Sequence, residues 1–144
     1  MRIYLDNCCF NRPFDDQHQI RIRIEAEAKL YIQSLIEQGK LTLVWSYILE
    51  YENMANPYEF RQIMIQKWKN KAKTYIQESG YIVKNAEQLT KKELKAKDAL
   101  HIACAIQADC NYFITTDDGI LKKNNKIKGI EIVNPIDMLD ILEV

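Results

Sequence analysis

Five short apolar stretches alternate with longer helical patterns along the 144 residues, which predicts an α/β fold with a central, mostly parallel five-stranded sheet covered by helices on both faces. Two further observations support this class. Apolar residues make up 47% of the chain, enough for one complete core. Repeats, low-complexity tracts and linkers are absent from the pattern, so residues 1–144 are expected to form a single domain.

The first strand is Ile3-Tyr4-Leu5, an apolar run that breaks off at Asp6-Asn7, as a buried central strand does at its carboxyl end. Asn11 to Asp16 carries a proline and paired acids and reads as a loop. From Gln19, Ile24, Ala28, Tyr31, Ile32 and Leu35 follow helical spacing, and Gly39 suits the left-handed position after a helix. Leu41 to Trp45 is the second strand, with Ser46 as N-cap of a short helix that Asn56-Pro57 stops. Apolar spacing then predicts a helix over Tyr58 to Glu78, closed by Gly80, and a third strand at Tyr81 to Val83. Thr90-Lys-Lys-Glu93 matches a capping box opening a helix through Ala108, apolar nearly all round. Asn111 to Thr115 is the fourth strand, and Asp117-Asp118-Gly119 turns into a short helix. Ile130 to Val133 is the fifth, and Pro135 starts the last helix.

Composition excludes some classes of function. Lys plus Arg and Asp plus Glu are each 20, so any nucleic acid must be held by a local basic patch rather than by the field of the whole molecule. Cys8, Cys9, Cys104 and Cys110 lack metal-finger or disulfide-framework spacing, which predicts reduced thiols in a cytoplasmic protein. No apolar run approaches the roughly 18–20 residues of a membrane span, and an acid comes too early for a signal peptide.

Chemistry concentrates in carboxylates at one rim of the expected sheet: Asp6, Glu50 or Glu52, Asp98, and Asp117 or Asp118. Singly, each has an ordinary structural role as a turn residue, a helix cap, a favoured first-turn acid or a solvated helix residue. Jointly they would repel one another and raise each other's pKa unless a hard divalent cation were present.

The ordered set YLDNC, WSYILEYEN, KAKDALHIACA and FITTDDGIL resembles the PIN-domain nucleases, most closely the VapC-like toxins of type II toxin–antitoxin pairs. The resemblance spans nearly the whole chain. It implies a PIN-like three-layer sandwich and an endoribonuclease that uses Mg²⁺ or Mn²⁺. It further implies an RNA substrate, a cognate antitoxin partner and a homodimer. A catalytically inactive scaffold, or a solitary RNA-processing nuclease, is the alternative. The family's acids match Asp6, Glu52, Asp98 and Asp117 as catalytic metal ligands, with Ser46 preceding Glu52 at the family's interval. Glu50 is the runner-up to Glu52; it points roughly 200° away around a helix, so both cannot serve one ion. Asn7, Thr115 and Asp118 would stand behind the ligands. The chain departs from the family after Asp6, where Asn7-Cys8 replaces the usual threonine-asparagine. In haloacid-dehalogenase-type enzymes a second aspartate follows the first at an interval of two, and here Cys8 takes that place.

For phosphate contact, the best candidates are Lys91 to Lys97, with Lys97 adjacent to Asp98, and Arg12; solvated faces are their ordinary role. His101 shares a helix face with Asp98, where a packed core histidine is the more common finding. A zinc site from His101, Cys104 and Cys8 is a soft-ligand alternative. Tyr47, Tyr51, Tyr58 and Trp68 are candidates for stacking on unpaired bases. The apolar face of Ile20 to Leu35 is open to a second copy or an antitoxin peptide.

Overall fold

The computed structural model describes residues 1–142. Strands β1 (Arg2–Leu5), β2 (Thr42–Ser46), β3 (Thr74–Ile76), β4 (Tyr112–Ile114) and β5 (Glu131–Val133) form one sheet in the order β3-β2-β1-β4-β5. Every pairing is parallel, without the antiparallel edge that a mostly parallel sheet allows. The helices are α1 (Asn7–Asn11), α2 (Ile20–Glu37), α3 (Tyr47–Met54), α4 (Glu59–Gln66), α5 (Gly80–Thr90), α6 (Ala96–Gln107), α7 (Asp118–Leu121) and α8 (Pro135–Ile141).

Both faces of the sheet are covered. Ile3, Tyr4 and Leu5 are consecutive and fully buried, as are Leu43, Val44 and Trp45, although neighbours along a strand point to opposite faces. On one face Tyr4 stacks on Phe113 with ring centroids 5.3 Å apart and meets His101 of α6 edge-on. On the other, Trp45 meets Phe10 of α1 edge-on. Helix α2 packs on α8, and α5 on α6. A buried Glu25 ties the α2 layer together: it accepts from Asn134 at 2.5 Å and stands 3.1 Å from Arg12 and 3.2 Å from Arg21.

Helix α2 ends as its sequence predicts, with Gly39 at φ +75°. Four expectations need correction. Asn11 to Asp16 is not an open loop; α1 starts directly after Asp6 and passes into a 3₁₀ turn at Arg12–Phe14. The helix read over Tyr58 to Glu78 stops at Gln66, a 3₁₀ turn takes Lys67–Lys71, and β3 follows at Thr74–Ile76. Tyr81 to Val83 therefore lies in α5 and not in a strand. Ser79 caps α5 by accepting from Ile82 N at 3.2 Å, and Ile82, Ala86 and Leu89 form its buried stripe. Nor does Thr90-to-Glu93 open a helix. Thr90 ends α5 and donates to Glu87 O, Glu93 has φ +66°, and α6 begins after Lys95 without a side-chain cap.

The strand order places the site. From β1 the chain moves outward to β2 and β3, then crosses back to β4 on the other side of β1. That reversal opens a crevice at the carboxyl ends of β1 and β4, where such sheets bind ligands.

Candidate active site

Asp6 leaves β1 with its backbone N–H still on the ladder, donating to Ile114 O at 2.9 Å. Its buried carboxylate caps α1, accepting from Asn7 N at 2.8 Å, and also accepts from the Thr115 hydroxyl at 2.8 Å. Cys8 Sγ lies 3.4 Å from both Asp6 Oδ2 and Thr115 Oγ1, so it fills the place left by the altered tripeptide. Thr115 in turn accepts from Asp117 N at 3.1 Å and links the ends of β1 and β4. The Asp117 carboxylate caps α7, accepting from Gly119 N at 2.8 Å.

Glu52 reaches this rim from α3. It is hydrogen-bonded to His101 Nε2. Burial pushes the Glu52 carboxyl upward, but the His101 contact and nearby Lys97 outweigh it, leaving the pKa below the ordinary value. Behind His101, its Nδ1 meets the Tyr4 hydroxyl at 2.6 Å, which meets the Ser46 hydroxyl at 2.6 Å, and Ser46 accepts from Leu49 N. One proton order satisfies every member: Ser46 donates to Tyr4, Tyr4 donates to Nδ1, and Nε2–H donates to the carboxylate. His101 is thus neither a mere core filler nor a soft-metal ligand in this arrangement.

Asp98, in the first turn of α6, accepts no side-chain or capping hydrogen bond among the described residues. Burial, then the negative charges of Asp6 and Asp117 and to a lesser degree Glu52, push its carboxyl up to about 6. Asp98 and Asp117 share a cleft of about 180 Å³ with Lys95 and Lys123.

The structure thus places Asp6, Asp117 and Glu52 within electrostatic range of Asp98, with Thr115 bonded to Asp6 and Ser46 tied through Tyr4 to His101. Other candidates lie elsewhere. Glu50 faces away, accepting from Trp45 Nε1 at 2.9 Å and Gln66 at 2.7 Å beside Lys69. Asp118 is clamped by two 2.8 Å bonds from Arg21 and points toward α2, not behind the site. Arg12 is held by Glu25 and Asp15 and is no free phosphate contact. Lys97 stays near the rim, 5.7 Å from the Tyr51 ring. Among the described residues, no three His, Cys, Asp or Glu side chains stand close enough together to enclose an ion alone. Mg²⁺ and Mn²⁺ complete their shells with water and substrate oxygens. Carboxylate oxygens are the donor type that such ions take, and Asp98 has no hydrogen-bond donor of its own among the described residues.

Sequence reasoning missed the His101–Tyr4–Ser46 chain, and also Asn11 and Asn56 beside Glu52. The only local signal was the three-residue interval from Asp98 to His101. The four cysteines are free, and no helix among the described residues is long and apolar enough to cross a membrane.

No family model matches the sequence, and no curated protein matches it. Among solved structures, the chain is similar to one in VapBC2 from Rickettsia felis bound to a DNA fragment from their promoter. Identity is 15%, the TM-score is 0.58, and the match covers 93% of this chain and 98% of that one. With a five-stranded parallel sheet, helices on both faces and this structural likeness, the chain has the PIN-like fold, shared with a component of VapBC2.

Proposed function

We propose that this chain is an endoribonuclease dependent on Mg²⁺ or Mn²⁺, and the toxin of a type II toxin–antitoxin pair, acting in the cytoplasm as a homodimer that its antitoxin binds. The observation that supports the reading is that Asp6, Asp117 and Glu52, from three separate places in the chain, act with burial to push the Asp98 carboxyl up to about 6. Such crowding is costly without a cation. The likeness to a VapBC2 chain supports the fold half of the argument.

Asp6, Glu52, Asp98 and Asp117 would hold the ion. When bound, it lowers the pKa of a water and stabilises charge on the phosphoryl oxygens as the phosphodiester is hydrolysed. Thr115 orients Asp6, and Lys95 and Lys97 would offset backbone phosphate charge around the acids, whereas Lys123 is paired with Glu93 at 2.8 Å.

Cleavage of single-stranded RNA in Mg²⁺ or Mn²⁺, abolished by EDTA, tests the reading. Asp6→Asn and Glu52→Gln should each lose more than the roughly 10–100-fold that removing a residue behind the ligands costs. Glu50→Gln should keep wild-type cleavage. Equal activity in Asp6→Asn and wild type would overturn the assignment. Folded protein that binds Mn²⁺ and cleaves no RNA would identify a scaffold instead.

A further inference from the structure

A groove of about 300 Å³, separate from the cleft of Asp98, is bordered by Glu52 and lies between α1 and the loop joining α3 to α4. Its lining is unlike the core. Three asparagines line it: Asn56 Nδ2 donates to Asn11 Oδ1 at 3.1 Å, and Asn11 Nδ2 donates to the backbone carbonyl of Asn7 at 3.1 Å with Asn7 Oδ1 at 3.4 Å. Asn56 Oδ1 accepts from Tyr58 N at 3.0 Å, which fixes the plane of that amide. Each primary amide has two N–H donors and an oxygen with two lone pairs, so this ladder leaves hydrogen-bonding capacity unused.

Beside the amides stands Tyr58, 60% exposed although it follows Pro57 in a short loop. The Arg61 guanidinium sits 4.6 Å from the Tyr58 ring and is itself held by Asp15 at 3.0 Å and Phe14 O at 2.7 Å. Tyr58 is therefore braced from behind while still open to solvent. Lys97 completes the groove on the side of α6.

A solvent-exposed aromatic plane, prepositioned amides and a nearby cation form the combination that recognises an unpaired base: stacking on the ring, hydrogen bonds along the base edge, and charge for the adjoining phosphate. We propose that this groove is the subsite for one unpaired nucleobase of the RNA, next to the cleaved phosphate. The base stacks on Tyr58, Asn56 and Asn11 read its edge, and Lys97 faces the adjoining phosphate. Its place in the reaction rests on the nuclease reading above, whereas binding of the base does not.

The test uses the full chain in EDTA with fluorescein-labelled single-stranded RNA hexamers, read by anisotropy. Tyr58→Ala should weaken binding roughly tenfold, within the range for loss of one stacked base. Tyr58→Phe should retain wild-type affinity, because the ring and not the hydroxyl stacks. Asn56→Ala should narrow the affinity differences among homopolymers of A, C, G and U. Circular dichroism verifies that the variants are folded. Unchanged binding in Tyr58→Ala, or equal loss in Tyr58→Ala and Tyr58→Phe, would overturn the subsite even if Mg²⁺-dependent cleavage is found. Ring-dependent RNA binding by a wild-type chain that cleaves nothing would uphold the subsite and remove the nuclease reading.

Discussion

Asp98 shows how one residue carries opposing demands. A first-turn acid is favoured by the helix macrodipole, yet burial and the charges of Asp6 and Asp117 raise its pKa from 3.8 to about 6. The folded state thus binds a proton more readily than the unfolded state between those values. Stability on this account falls as pH rises from about 4 through about 6; the cost is full above that window and absent below it. Asp98→Asn should stabilise metal-free protein at pH 7.5 by about 1 kcal/mol, after discounting for partial solvent screening, with the gain gone by pH 4. Urea denaturation in EDTA at both pH values measures it; a loss of stability at pH 7.5 contradicts it. At this scale the sequence was informative about Glu52 as well. Helical geometry separates it from Glu50, and the structure gives Glu50 to Trp45 and Gln66 but Glu52 to His101. It was not informative about Asp118, because its partner Arg21 lies 97 residues away.

Single elements were legible where their ends carried local chemistry. Ser46 caps α3, Asp117 caps α7, and Pro135 begins α8, each through contacts within a few residues. Misreading arose where two periodicities overlapped. Apolar residues from Phe60 to Ile76 keep helical spacing, but β3 is a three-residue edge strand and contributes too little alternation to be seen. Tyr81-Ile82-Val83 resembles a strand until Ser79 is recognised as a cap and Ile82, Ala86 and Leu89 as a buried stripe. Ser79→Ala should therefore cost about 1 kcal/mol by urea denaturation. Thr90→Ala should cost little, since the Thr90 hydroxyl donates back to Glu87 O and caps nothing. Similar losses in the two variants would argue against this division of α5 from the segment after it.

At the scale of the whole molecule, a formal net charge of zero means that the proposed RNA binding would fall to the few lysines at the rim. Lys95, Lys97 and Lys123 border the two clefts. Two or three phosphate contacts correspond to a slope of log affinity against log salt of roughly −1.4 to −2.1 for a single strand. Anisotropy titrations across salt concentration measure the slope, and one twice as steep would point to a broader basic surface. Sequence by itself determined the alternation of strands and helices, the burial of β1 on both faces, and acids at the carboxyl ends of β1 and β4, because periodicity and capping act over a few residues. Tertiary structure alone decided that β1 lies between β2 and β4, that His101 joins Tyr4 and Ser46 to Glu52, and that the asparagine groove opens beside the acids. Those pairings connect residues far apart in the chain, and only the register of the sheet and the packing of helices over it bring them into contact.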